Sequence, residues 1–391
     1  VLDPLTKLPD GTIKQVNPFT GTKVWTLPGR AARPLGDPTR ATAPIDPARH
    51  DRYCAFCPGR MLETTPEIAR LVRDPGAADG WREIRGLTAE QLGESVAEFR
   101  LIPNLFEILT YDYWRLTHGL LPTAEQDAHR TRYLSTPLGR QHVESLLRTR
   151  LRAAGAQPET LSAEAFEGHL AEALGFFASN HQVVVARRHF LDGATDDSQV
   201  CGSGQLTPEE HRRYTELTIT AMSDLYRDNP HARYVAVFQN WMRPAGASFD
   251  HLHKQVVAID ELGTHLESEV ERLRNEPDMY SRWGPDYAEE QGLVIARTER
   301  AVAFAGVGHQ YPAIEVHVLD QGHVPRDLSP KQVADFSDLL HACHAATGSD
   351  VPTNEEWHHR PPSIDLPMPL RAVLKWRVST LAGFEGGTKI Y

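Results

Sequence analysis

Two strand-like runs constrain this chain most, Ala232-Arg-Tyr-Val-Ala-Val-Phe238 and His253-Lys-Gln-Val-Val-Ala-Ile259, joined by the Pro- and Gly-containing stretch Asn240 to Asp250. A connection of that kind suits an antiparallel pair. In an extended strand alternate side chains share a face. His251, His253 and Gln255 therefore line one side, and Leu252, Lys254 and Val256 line the other. One face is left for chemistry and one for a core.

The surroundings repeat. Strand signal at Gln182–Ala186 leads to a helix that Thr207 caps, with Pro208 at its first position, running to about Asn229. Helical pattern over Leu266–Asn275 then leads to the extended runs Gly292–Ala296, Ala301–Ala305 and Ala313–Val318. A helix over Ser329–Ala346 precedes two last strand candidates, Ala372–Val378 and Gly383–Glu385. The same order twice predicts an α+β protein of two diverged units, 1–262 and 263–391, each an antiparallel sheet with packed helices. Between about 110 and 180 the pattern turns helical, as in Ser145–Ala154 and Ser162–Leu174, and reads as an insertion.

Composition narrows the function classes. The 391 residues fit two or three domain-sized units. A net charge of −11 with no basic stripe argues against a duplex-binding protein. No apolar run approaches the ~20 residues that span a bilayer. The N-terminus has no basic region followed by an apolar stretch, so the cytoplasm is the expected compartment. Thiols stay reduced there, so Cys54-Ala-Phe-Cys57 reads as a metal site before a disulfide. Its spacing lets both thiolates reach one tetrahedral zinc, the other ligands coming from distant histidines or carboxylates.

Two imidazoles and an amide on one strand face, beside a Gly-Ala-Ser loop, have a clear use. A neutral imidazole attacks phosphorus, and a nearby amide or hydroxyl holds the phosphate oxygens. His-x-His alone describes an exposed strand face as readily; the full string from Gly246 to Gln255 favours chemistry. Arg30 and Arg33, three apart, form a pair of guanidinium forks suited to phosphate, although such pairs are mostly surface charge.

Together these strings resemble the galactose-1-phosphate uridylyltransferase family, a branch of the histidine-triad superfamily. The likeness runs in order through Asn17-Pro-Phe-Thr-Gly21, Arg30-Ala-Ala-Arg33-Pro34, Cys54-Ala-Phe-Cys57-Pro-Gly59, Pro103-Asn104-Leu-Phe106, Val183 to His189, Phe238-Gln-Asn240, Gly246-Ala-Ser248 and His251-x-His253-x-Gln255. The resemblance implies a nucleotidyltransferase. His253 would take up a nucleoside monophosphate from a nucleotide sugar and pass it to a sugar 1-phosphate-like acceptor, in ping-pong order. Gln255 would assist it, and Ser248, Asn240, Arg30, Arg33 and Asn104 would bind substrate. Cys54, Cys57, His189 and His251 would hold a structural zinc, with His181 at the far end of the same strand competing for the place of His189. Gly383-Phe-Glu385 is similar to a segment that contacts the hexose across a homodimer, with Glu385 in the contact. Rival readings are a phosphorylase or hydrolase of the same superfamily, and a non-catalytic zinc-stabilised nucleotide-binding protein. Departures bear on the base and the sugar. Leu105 stands where the family often has Asp, Ser379 lies near the place of an expected Lys, and the second unit lacks a recognisable histidine-rich strand.

Overall fold

Gly, Pro and Asn punctuate this chain into extended runs too short to stand alone, so they must pair. The computed structural model describes residues 3–29, 42–171, 173–320, 322–379 and 383–391. Leu5–Lys7 (β1), Ile13–Val16 (β2) and Lys23–Thr26 (β3) form a small antiparallel sheet. The main sheet is built from Ala69–Arg73 (β4), Trp81–Arg85 (β5), Ala97–Pro103 (β6), His181–Ala186 (β7), Tyr234–Trp241 (β8), His253–Ile259 (β9), Val294–Arg297 (β10), Ala301–Ala305 (β11), Ala313–Val318 (β12), Thr353–His358 (β13) and Arg371–Trp376 (β14). It has eleven strands in the order β10-β11-β12-β14-β13-β8-β9-β7-β6-β4-β5. Every neighbouring pair is antiparallel. Helices are Tyr111–His118 (α1), Ala124–Leu134 (α2), Pro137–Ala153 (α3), Ala163–Ala171 (α4), Pro208–Asp228 (α5), Thr264–Asn275 (α6), the short Met279–Ser281 (α7) and Tyr287–Glu290 (α8), Pro330–Thr347 (α9) and Gly383–Thr388 (α10).

The expected α+β class with antiparallel strands and packed helices is what forms. The run β7-α5-β8-β9 recurs as β12-α9-β13-β14. Both long helices begin with the same device, a capping box followed by Pro: Thr207-Pro208 with Glu210, and Ser329-Pro330 with Gln332. They lie side by side on one face, tied by Arg212 to Asp338 and by a 2.7 Å hydrogen bond between His211 Nδ1 and Ser337 Oγ. Beneath them Leu217, Met222, Phe336 and Leu340 close over Val184, Val237, Val256 and Val316. Burying each large apolar side chain stabilises by ~1.5–3 kcal/mol.

Three features were not read from the sequence. The two halves join in one continuous sheet, because β8 and β13 pair edge to edge, with Asn240 opposite Asn354. The strand β13 itself, Thr-Asn-Glu-Glu-Trp-His, has no apolar alternation to read, since ion pairing rather than apolar packing buries Glu355. Gly383–Glu385 is not a strand. It opens the short helix α10, in which Lys389 N–H reaches back to the Glu385 carbonyl; three residues flanked by Gly386 and Gly387 have little strand preference.

The expected helical insertion is present as α1 to α4. It has its own apolar cluster of Tyr133, Val143, Leu146, Leu147, Phe166 and Phe176. The sheet face opposite α5 carries β9's His253 and Gln255, with Ile102, Val183 and Val185 as an apolar floor.

Candidate active site and metal centre

Three separate pieces of chain meet at the start of β9. The loop after residue 50 supplies Cys54 and Cys57, the end of β7 leads to His189, and His251 precedes β9. The ligand atoms of these four residues lie within 4.8 Å of one another. Cys54 Sγ is 3.7 Å from Cys57 Sγ, and 3.4 Å from Nδ1 of both His189 and His251. Cys57 Sγ lies 3.4 Å from His189 Nδ1 and 3.8 Å from His251 Nδ1. A tetrahedral zinc with Zn–S of about 2.3 Å and Zn–N of about 2.05 Å would set S–S and S–N edges near 3.8 and 3.6 Å. The donors fit such an ion, and four protein ligands would close its coordination shell. His251 Nε2 donates to the Ala186 carbonyl at 2.6 Å, which leaves Nδ1 unprotonated and free to ligate. His181, the rival for the place of His189, is elsewhere: it bonds Gln255.

His253 is buried, with Phe56 packed 5.1 Å from its ring and Phe249 against Phe56. Its Nδ1–H donates to the His251 carbonyl at 2.7 Å. The proton is therefore held on Nδ1, and Nε2 keeps the lone pair. Burial pushes the ring's pKa down to about 4, so it is neutral and nucleophilic at neutral pH.

The expected substrate-binding groups come from several elements. Gln255 Oε1 accepts from His181 Nε2 at 2.8 Å. Asn104, just past β6, caps Phe106 N–H through Oδ1 at 2.9 Å, and its Nδ2 lies 3.1 Å from the same His181 nitrogen. Asn240, on β8, accepts through Oδ1 from Asn354 Nδ2 at 2.7 Å. Asn354 also donates to the Ala245 carbonyl at 2.8 Å, fastening the loop between β8 and β9. That loop opens with Met242 at φ 66, ψ 157, a conformation costly for any residue with a side chain, and turns at Gly246, φ 91. Ser248 is exposed within it. Glu385 is on α10, and Ile390, two residues past the end of that helix, bridges Lys23 of β3. Arg30 and Arg33 fall outside the described residues. Sequence reading passed over Asn354, since the strand that carries it showed no signal, and weighed His181 only as a metal ligand.

The fold and site define a class: an α+β protein built on one antiparallel sheet, with His-x-His-x-Gln at a central strand beside a Cys2His2 cluster. The chain belongs to the family described as a domain of unknown function (DUF4921), whose pattern matches residues 8–391. Among solved structures it is similar to an ADP-glucose phosphorylase from Arabidopsis thaliana with bound ADP-glucose, at 19% identity and TM-score 0.58, covering 97% of this chain and 93% of that one. It is also similar to a galt-like protein from Arabidopsis thaliana, at 19% identity and TM-score 0.51 with the same coverage. No curated protein matches in sequence. At this identity the likeness establishes a divergent galactose-1-phosphate uridylyltransferase-like fold, as the sequence motifs implied. No helix among the described residues is long and apolar enough to cross a membrane.

Proposed function

We propose that this protein is a nucleotidyltransferase. It moves a nucleoside monophosphate from a nucleotide sugar to a sugar 1-phosphate-like acceptor through His253. The observation that carries this reading is the His253 ring, locked at Nδ1 and holding its lone pair at Nε2 on the same strand face as Gln255. Nε2 attacks the phosphorus joined to the nucleoside. A phosphorus–nitrogen bond forms as the bond to the sugar phosphate oxygen breaks, and that oxygen leaves with the electron pair. The His251 carbonyl, already accepting from Nδ1, gains strength as the ring becomes positive. Gln255, Asn240 and Ser248 hold the non-bridging oxygens, Asn104 the nucleoside, and Arg30 with Arg33 the diphosphate. The acceptor's phosphate oxygen then displaces His253.

Cys54, Cys57, His189 and His251 would hold zinc, which supplies a rigid anchor when bound. The division into units 1–262 and 263–391, a homodimer in which Glu385 meets the partner's sugar, and a cytoplasmic setting belong to the same proposal. A phosphorylase is the second reading, favoured by the likeness to a protein named for cleaving ADP-glucose with phosphate. Isotope exchange tests the half-reaction they share, and the acceptor separates them. Labelled glucose 1-phosphate should enter ADP-glucose or UDP-glucose with no second substrate present. Release of a nucleoside diphosphate from either sugar with inorganic phosphate as the only acceptor selects the phosphorylase. Absence of both reactions across the common nucleotide sugars contradicts the proposal.

A further inference from the structure

We propose that His181 and Asn354 are positioning residues, which hold the amides of Gln255 and Asn240 by their carbonyl oxygens so that both NH2 groups face the substrate's phosphate. The inference rests on His253 being the nucleophile. The hydrogen bonds determine the orientation. Ile108 N–H donates to His181 Nδ1 at 3.1 Å. An imidazole nitrogen that accepts carries no proton, so the neutral ring has its hydrogen on Nε2. That hydrogen goes to Gln255 Oε1 at 2.8 Å, and Gln255 is left with only donors to offer. Asn104 Nδ2 is close to the same protonated nitrogen, so its NH2 finds no acceptor there and adds another donor beside Gln255.

The second arm comes from the other half of the sheet. Arg377 Nη1 donates to Asn354 Oδ1 at 2.6 Å. A guanidinium cannot accept, so Asn354 cannot turn over, and its NH2 stays on Asn240 Oδ1 and the Ala245 carbonyl. Asn240 is thereby fixed with its NH2 outward. A free amide would turn its oxygen to an anionic phosphate in part of the molecules, losing a donor and adding repulsion as charge develops. Neither His181 nor Asn354 need touch the substrate for this.

The test is a pair of double-mutant cycles read by single-turnover formation of the nucleotidyl adduct, with ADP-glucose and UDP-glucose as probes. His181→Phe keeps the ring and removes the donor. It should slow adduct formation about 30–100-fold at saturating probe, with the half-saturating concentration changed less than about threefold. Zinc content should be unchanged. His181→Gln, which restores a donor, should recover to within about tenfold of wild type. The double variant His181→Phe with Gln255→Ala should be no slower than Gln255→Ala alone, and Asn354→Leu should likewise add nothing to Asn240→Ala. Losses that multiply in either cycle overturn the proposal. If wild type forms no adduct with any nucleotide sugar, the functional reading has failed, and the orientation is read without turnover. Long-range proton–nitrogen spectra should then show His181 protonated at Nε2, and a proton at Nδ1 would overturn it.

Discussion

Lys254 follows the proposed nucleophile in sequence and points the other way, into the core. Its Nζ lies 2.5 Å from Glu355 Oε1 with both side chains 0% exposed, and Trp357 and Tyr214 present ring faces to it. His344 Nε2 bonds the other Glu355 oxygen at 2.7 Å. Burial opposes ionisation of Glu355, yet the Lys254 charge holds the carboxyl well below its usual range. Removing one partner leaves a buried charge uncompensated, so Glu355→Gln should cost about 3–5 kcal/mol. Lys254→Met added to that change should recover much of the loss. Urea midpoints measure both, and an unchanged midpoint in Glu355→Gln would show that the pair does not hold β9 to β13.

At the scale of elements, the helical insertion is fastened by a histidine. His142 on α3 accepts from Tyr133 OH at Nδ1, 2.7 Å, and donates from Nε2 to the Thr64 carbonyl, 2.8 Å. Burial pushes its pKa down to about 4. The unfolded chain, with an ordinary value near 6.5, binds the proton first as pH falls. The contribution is therefore full above about pH 6.5 and is lost as pH falls toward 4, roughly 3 kcal/mol in all. Hydrogen-exchange protection of α2 and α3 should weaken over that window in wild type. His142→Gln, which keeps a donor and an acceptor, should lose that dependence; an identical pH response in both proteins would contradict the assignment.

Legibility followed the physics of each element. The helices α5 and α9 were readable because Thr207, Ser329 and the Pro after each are local signals. Strands β7 and β9 were readable because their apolar runs are continuous. Strand β13 was not, because Asn354 and Glu355 are buried against partners more than a hundred residues away, Asn240 and Lys254 among them. For the site, the Cys54–Cys57 pair showed itself by spacing alone. His189 and not His181 stands with the cysteines because of which end of β7 meets them, a tertiary fact.

Across the whole molecule, the cysteine cluster brings together segments 197 residues apart, Cys54 and His251, at the point where the strand of the proposed nucleophile begins. Zinc bound there would make folding free energy out of ligation. Purified protein should carry about one zinc per chain, and its removal should lower the melting temperature before any other property. Metal-free protein of undiminished stability would contradict a structural role. The central claim, that His253 carries the nucleotide, is tested most directly by mass spectrometry after incubation with a nucleotide sugar alone. One nucleotidyl mass should appear on the peptide containing His253, be labile to acid and vanish when a sugar 1-phosphate is added. The His253→Asn variant should keep the fold and the metal yet gain no such mass. An adduct on another residue, or wild-type turnover in the variant, would contradict the account.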